Sequence, residues 1–240
     1  MNNEAAALDA VAPQANRVNR FIAWLAVAAP LAYLLLLSLR PWPGDVVLKT
    51  SMCVLLAAFA WRERARLLTL ALLCSAAGDV FLGIDGERLF VPGLASFLLT
   101  HLLYAAIFVQ SSRTSRAPLT GWRKVALVAV PVFAASFASV LFPKLGGLAA
   151  PVVLYMIVIV TMAVLSLRLT AWMVPVGALF FVASDSLLAL GKFLWTAPWI
   201  SPAIWITYAL AQLLIVFGLS ELLRDGAAHV DPSSRRRESA

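Results

Sequence analysis

The chain has 240 residues, 62% of them hydrophobic and 13% charged, with a formal net charge of +7 and a mean hydropathy of +0.90. Soluble domains carry about a quarter charged residues, so the composition excludes a soluble globular protein and points to a polytopic membrane protein. The basic excess does not point to nucleic acid, because the basic residues fall between apolar runs and show no aromatic interleaving on one face.

The first twenty residues, "MNNEAAALDAVAPQANRVNR", are polar and mixed in charge. They lack the basic start and apolar centre of a signal peptide. Apolar runs of spanning length, about 20 residues each, follow in order at 21–39, 46–61, 66–84, 90–110, 122–142, 148–168, 173–193 and 200–222. The second is short for a full span. The links are brief, as in "RPWPGD" (40–45) and "DGER" (85–88), and leave no room for a separate soluble domain. The expected fold is an all-α polytopic bundle of eight transmembrane helices. It forms one domain over 21–222, between a polar tail at 1–20 and a second polar tail at 223–240. The latter ends in "SSRRRESA" and is expected to be disordered. Trp42, Trp61, Trp122, Trp195 and Trp199 sit at span ends and read as interfacial anchors. Cys53 and Cys74 lie in apolar runs and read as small hydrophobes; two cysteines supply too few ligands for a metal site.

Lysine and arginine placement sets the direction. With the N-terminus inside, the cytoplasmic side holds fourteen of the nineteen basic residues, and Arg40, Lys49, Arg88, Lys144 and Lys192 remain on the other side. Eight spans with both termini cytoplasmic follow. A repeat is also visible. "AAGDVFLGI" (76–84) in the third span resembles "VASDSLLAL" (182–190) in the seventh, and "HLLYAAIF" (101–108) loosely resembles "QLLIVFGL" (212–219). An offset of four spans preserves direction, as in a parallel 4+4 repeat.

Ionisable residues inside spans are costly and face the bundle interior or a wet cavity. At about 1.5 Å of rise per residue, Asp79 lies roughly 8 Å and Asp185 roughly 12 Å below the outer ends of their spans. Lys49 is shallower, Tyr155 and Tyr208 are at a similar depth, and His101 is deeper. The expectation is one polar cavity in the outer half of the bilayer. Each residue also has a structural reading. The aspartates can be interhelical glue, bonded to Ser75 or to Ser184 and Ser186. Lys49 can snorkel to the interface. His101 can be a neutral hydrogen-bonding group, and the two tyrosines can be packing residues.

Several chemistries lack their motifs. There is no G-x-S-x-G elbow, no H-E-x-x-H and no glycine-rich phosphate loop. Two histidines, one in the tail, cannot build a histidine-rich zinc site. No metal and no cofactor are expected. What remains is acid–base work by carboxylates. In apolar surroundings one of two neighbouring aspartates can keep its proton near neutral pH while the other is ionised.

The runs "SAAGDVFLGI…LFVPGLASFLLTHLLYAAIF" and "VGALFFVASDSLLALGKF" resemble the YhhN-like lysoplasmalogenase family. So do Lys49 in the second span, "VVLYMIVIVTMAVLSL" (152–167) and "ITYALAQLLIVFGL" (206–219). The similarity covers about residues 20 to 222. One departure is Thr50 after Lys49, where many relatives carry proline. The resemblance implies hydrolysis of the vinyl ether bond of lysoplasmalogens to a fatty aldehyde and a glycerophospho-alcohol. Vinyl ether cleavage begins with protonation of the alkenyl carbon β to oxygen and gives an oxocarbenium ion that water attacks. A carboxylic acid beside a carboxylate meets those needs without a metal or a covalent nucleophile. Asp79 and Asp185 are the expected acid–base pair. His101 would position water or tune the pair, Tyr155 and Tyr208 would shape the cavity, and Lys49 would hold the phosphate. The expected partners are a lysophospholipid and the bilayer of a bacterial inner membrane, with no nucleic acid. Two rival readings use the same residues: a proton-coupled transporter with a paired-aspartate relay, and a non-catalytic lipid-binding membrane protein.

Overall fold

A computed structural model describes residues 2–230, with side chains from 17 to 224. The chain forms α1 (Asn2–Leu36), α2 (Asp45–Arg62), α3 (Arg66–Ile84), α4 (Phe90–Ser111), α5 (Trp122–Leu145), α6 (Ala149–Ser166), α7 (Met173–Phe193) and α8 (Ile200–Val230). No strand occurs among the described residues apart from one isolated bridge between Arg116 and Leu169. α1 begins at Asn2, so the polar stretch before Phe21 continues the helix, and α8 runs on through the expected start of the second tail. Residues 231–240 of that tail lie outside the described residues.

Among the described residues, six segments are long and apolar enough to cross a membrane. One of them, Trp122–Ser166, takes in both α5 and α6 over 45 residues. At about 1.5 Å per residue a straight helix of that length would be roughly twice as long as the hydrocarbon core is thick. The chain instead breaks at Gly146, whose φ of +53° suits glycine, passes through a 3-10 turn at Gly146–Leu148, and α6 packs back on α5. α2 is outside the six; it carries Asp45, Lys49 and Arg62 in 18 residues.

The helices follow one another in space from α1 to α4. α4 then packs on α6, α6 on α7 and α7 on α8, and α8 returns to α1 and α2, so the circuit closes. α5 stands outside it, against α6 and α7. Its Val125, Val128 and Val132 are exposed, as suits a helix with lipid on one side. Of the six segments, the one in α8 is the most enclosed: 56% of its apolar window is buried, against 22% for that in α1. The α7–α8 contact is tight because small residues line it. A Cβ at Gly177 would lie 2.9 Å from the Ala211 carbonyl oxygen, and one at Gly218 would lie 2.8 Å from Val174.

Short polar devices close the links. Asp85 Oδ1 accepts the backbone N–H groups of Glu87 and Arg88 between α3 and α4. Arg123, buried at the foot of α5, donates from Nη1 to the carbonyls of Leu167 and Leu169 and ties down the α6–α7 link. Trp61, Trp122, Trp195 and Trp199 are exposed near helix ends. Trp205 instead lies in the core and donates from Nε1 to the Pro30 carbonyl at 2.9 Å.

Candidate active site

Asp79 is turned inward on α3 by the small residues around it. Ala76 and Gly78 are buried beside it, and Gly78 lets the Phe97 ring of α4 lie within 3 Å of where a Cβ would stand. The carboxylate is 1% exposed. Such a group is tolerated in an apolar bundle only when charge and hydrogen bonds compensate it. Lys49 Nζ on α2 lies 3.3 Å from Asp79 Oδ1. Tyr208 on α8 donates its hydroxyl to Oδ2 at 2.8 Å. The Cys53 thiol stands 3.7 Å from the same oxygen and 3.1 Å from the Tyr208 hydroxyl.

The network continues inward. Gln212 Nε2 donates to the Tyr208 hydroxyl at 3.3 Å and to Ser75 Oγ at 2.9 Å, while its Oε1 accepts from the Tyr104 hydroxyl at 2.6 Å. Ser75 in turn donates to Thr100 Oγ1 at 3.1 Å. Side chains from α2, α3, α4 and α8 are thereby locked around Asp79. Buried polar networks of this kind fix position when their members are satisfied.

Asp185 on α7 has different company. The Tyr155 hydroxyl on α6 donates to its Oδ2. His101 Nε2 on α4 lies 3.9 Å from the same oxygen, beyond hydrogen-bond range. The His101 ring is fully buried, edge-on to Phe181 at 4.6 Å and to Tyr155 at 5.3 Å, and among the described residues neither ring nitrogen has a side-chain hydrogen-bond partner. Neither serine bonds an aspartate: Ser184 donates to the Ile204 carbonyl and Ser186 to the Val182 carbonyl. Interhelical glue through Ser75 or Ser184 is therefore not how these carboxyls are held.

One cavity, about 750 Å³ with its open mouth, takes in both aspartates together with Lys49, Arg40, Tyr208 and Trp205. It lies toward the end of the bundle that carries the α1–α2, α3–α4 and α7–α8 links. Both carboxyls face this one space, and among the described residues no hydrogen bond joins them. Lys49 does not reach away to the interface; its side chain is 19% exposed and turned onto Asp79. Arg40, from the α1–α2 link, adds a second cation and is steadied by Asp45 at 2.9 Å. Sequence reasoning passed over Arg40, Cys53, Tyr104 and Gln212. A glutamine in the middle of a span is a usable signal; a lone thiol in an apolar run is not. Among the described residues no group of three or more His, Cys, Asp or Glu side chains could hold a metal ion.

An all-helical chain with several bilayer-length apolar segments around a buried, charged cavity is a multi-pass integral membrane protein. Residues 44–219 match the YhhN family, and the chain belongs to that family. The match contains Lys49, Asp79, His101, Tyr155, Asp185 and Tyr208. Among its relatives, the lysoplasmalogenase of Mycobacterium bovis is 38% identical over 205 residues, covering 78% of this chain and 77% of that protein. The lysoplasmalogenase TMEM86B of Mus musculus is 30% identical over 88% of this chain and 90% of its own length. The lysoplasmalogenase TMEM86A of Homo sapiens is 34% identical over 62% of this chain and 63% of its own length. No solved structure matches.

Proposed function

We propose that this protein hydrolyses the vinyl ether bond of lysoplasmalogens, releasing a fatty aldehyde and a glycerophospho-alcohol, with the chemistry carried by Asp79 and Asp185. The family and its lysoplasmalogenase members support the reaction. The observation that carries the mechanism is the unequal company of two carboxyls on one cavity. Asp79 has a lysine at 3.3 Å and serves as the carboxylate. Asp185 has a tyrosine hydroxyl and a poorly placed histidine; a buried carboxyl without a close cation is stable as the acid.

In this reading the Asp185 carboxyl gives its proton to the alkenyl carbon β to oxygen. The carbon next to oxygen becomes an oxocarbenium ion, balanced by the new Asp185 carboxylate and by Asp79. Water adds to that carbon and its proton returns to Asp185, leaving a hemiacetal. The hemiacetal then breaks its bond to the glycerol oxygen: that oxygen takes up a proton and the hydroxyl gives one up. The sum is one vinyl ether and one water to one aldehyde and one alcohol. Water is the only co-reactant. Tyr155 orients the acid, and Tyr208 with Cys53 holds Asp79. His101 fills the floor as a neutral ring, Ser75 and Ser184 brace the helices, and Lys49 keeps Asp79 charged.

The wider topology belongs to the same proposal. Eight crossings, with both termini on the cytoplasmic side of a bacterial inner membrane, are supported by the fold-back at Gly146 and by the bias of basic residues. A 4+4 relationship is supported by the matching GD and SD motifs on α3 and α7.

The test is aldehyde release by the purified protein from a lysoplasmenyl phospholipid, with an ester-linked lysophospholipid as control. Asp79→Asn and Asp185→Asn are assayed alongside. The expected result is aldehyde from the vinyl ether only, reduced about 100-fold or more in each folded variant. Near-full activity in either variant rejects the carboxylate mechanism. No aldehyde from folded wild type rejects the hydrolase reading and turns attention to pH-driven transport.

A further inference from the structure

A second cavity lies on the other side of Asp185. It runs between α4, α5, α6 and α7 and encloses about 590 Å³ with its open side. Its walls include Leu94, Phe133, Phe137, Met156 and Ala189, and among the described residues Asp185 is the only Asp, Glu, Lys or Arg that lines it. Its other polar groups are already bonded within the protein: Tyr155 to Asp185, and Ser186 to the Val182 carbonyl at 2.7 Å. An apolar space with satisfied polar groups stays dry and takes hydrocarbon. Asp185 and Leu188 line both this slot and the charged cavity, so the two spaces share a wall.

We propose that the slot is the binding site for the substrate's alkenyl chain, and that Asp185 marks the boundary between a hydrocarbon site and a headgroup site. The inference rests on the lysoplasmalogenase reading. A lysoplasmalogen has one hydrocarbon chain, and its vinyl ether is the joint between that chain and a phosphate-bearing glycerol. With the chain in the slot and the phosphate toward Lys49 and Arg40 in the charged cavity, the joint falls beside Asp185. The same placement gives Asp185, rather than Asp79, contact with the alkenyl carbon that must be protonated. The way in is lateral. α4 packs on α6 rather than on α5, and the stacked Phe133 and Phe137 rings of α5 form the outer wall. Phe133 is 48% exposed, so this wall borders lipid, where a lysolipid's chain already lies. The size of the residues that line the slot, such as Ala134 and Ala189, therefore limits how much hydrocarbon it admits.

Two experiments test this on the full-length protein. The first does not depend on turnover. An ester-linked lysophospholipid carrying a diazirine near the end of its chain is photolysed with the protein in nanodiscs, and the labelled peptides are mapped by mass spectrometry. Label on the slot-lining parts of α5, α6 and α7, competed by unlabelled lysolipid, is the expected result. Competable label confined to α1, α2 or α8 overturns the proposal. The second measures aldehyde release from long-chain and short-chain vinyl ethers by Ala134→Trp and Ala189→Met, with Val128→Trp on the exposed face of α5 as control. Narrowing the slot should lower the long-to-short rate ratio about tenfold or more and leave the control ratio unchanged. An unchanged ratio in folded narrowing variants overturns the slot while leaving the hydrolase reading intact. If wild type releases no aldehyde, the hydrolase reading falls and the label still decides where the chain lies.

Discussion

Lys49 Nζ lies 3.3 Å from Asp79 Oδ1 across the α2–α3 contact, and the pair is shared with the Tyr208 hydroxyl at 2.8 Å. An ion pair so enclosed is a coupled unit. Taking away one partner strands the other in a low-dielectric space, at a cost of about 3–5 kcal/mol in buried pairs. Here the lower end applies, because the Lys49 side chain is 19% exposed.

Lys49→Met should therefore lower the thermal midpoint of the detergent-purified protein markedly. Lys49→Met combined with Asp79→Asn should recover most of the loss, since no charge is then stranded. Activity should be lost in both. Measured midpoints of wild type, both single variants and the double variant form a cycle that reads the coupling directly. Additive losses would mean that the two residues are not a pair in the folded protein.

The Tyr155 hydroxyl is the only side-chain hydrogen-bond donor on Asp185 among the described residues. Tyr155→Phe keeps the ring that packs edge-on against His101 and removes only the oxygen. The expected effect is about a tenfold fall in kcat, equivalent to about 1.4 kcal/mol, with a small change in midpoint and in KM. Aldehyde release across substrate concentrations separates these quantities. A rise in KM alone would make Tyr155 a wall of the cavity and not a positioning group.

What could be read in advance follows from one-dimensional signals. Carboxylates inside apolar runs stand out because their burial is costly, so Asp79 and Asp185 were visible. Each expected span also falls on a helix. Rotation about the helix axis is not visible in the same way. Depth alone left Lys49 free to snorkel, whereas the fold turns it onto Asp79. The serine partners that the structural alternative offers the aspartates lie on the same helices, but Ser75 is bonded to Thr100 and Gln212 instead. In the sequence Cys53 reads as a small hydrophobe, because nothing in its neighbours marks it. Only the approach of α8 places the Tyr208 hydroxyl 3.1 Å from its sulfur. The apolar slot left no trace at all, since residues that line a hydrocarbon site and residues that face lipid are chemically the same.

The α7–α8 contact depends on a missing side chain. A Cβ at Gly177 would stand 2.9 Å from the Ala211 carbonyl oxygen and 3.0 Å from the Ile215 backbone nitrogen, and backbone cannot swing aside. Gly177→Ala should push α8 away from α7 and lower both the midpoint and the activity, because Tyr208 and Asp185 sit on opposite sides of that contact. Gly147→Ala, where an added Cβ meets nothing within 4 Å, is the matched control and should be close to wild type. Equal midpoints for the two variants would show that the helix pair has slack.

At the other end of the bundle Glu63, between α2 and α3, accepts from Asn19 Nδ2 of α1 at 2.6 Å and from Arg224 Nη2 of α8 at 3.0 Å. Burial pushes the Glu63 carboxyl up, but the hydrogen bonds from Arg224 and Asn19 outweigh it and hold the group below the usual glutamate range. For a lowered carboxyl the stabilisation is present above the unfolded-state value and is lost as pH falls through the folded-state value. Arg224 is 60% exposed, so water and salt screen the pair. Glu63→Gln should cost no more than about 1 kcal/mol at neutral pH, less in high salt. The difference from wild type should close as pH falls below about 4. Thermal midpoints of both proteins across that range are the measurement. A gap that persists in acid would assign the effect to the neutral hydrogen bonds of Asn19 rather than to the charge of Glu63.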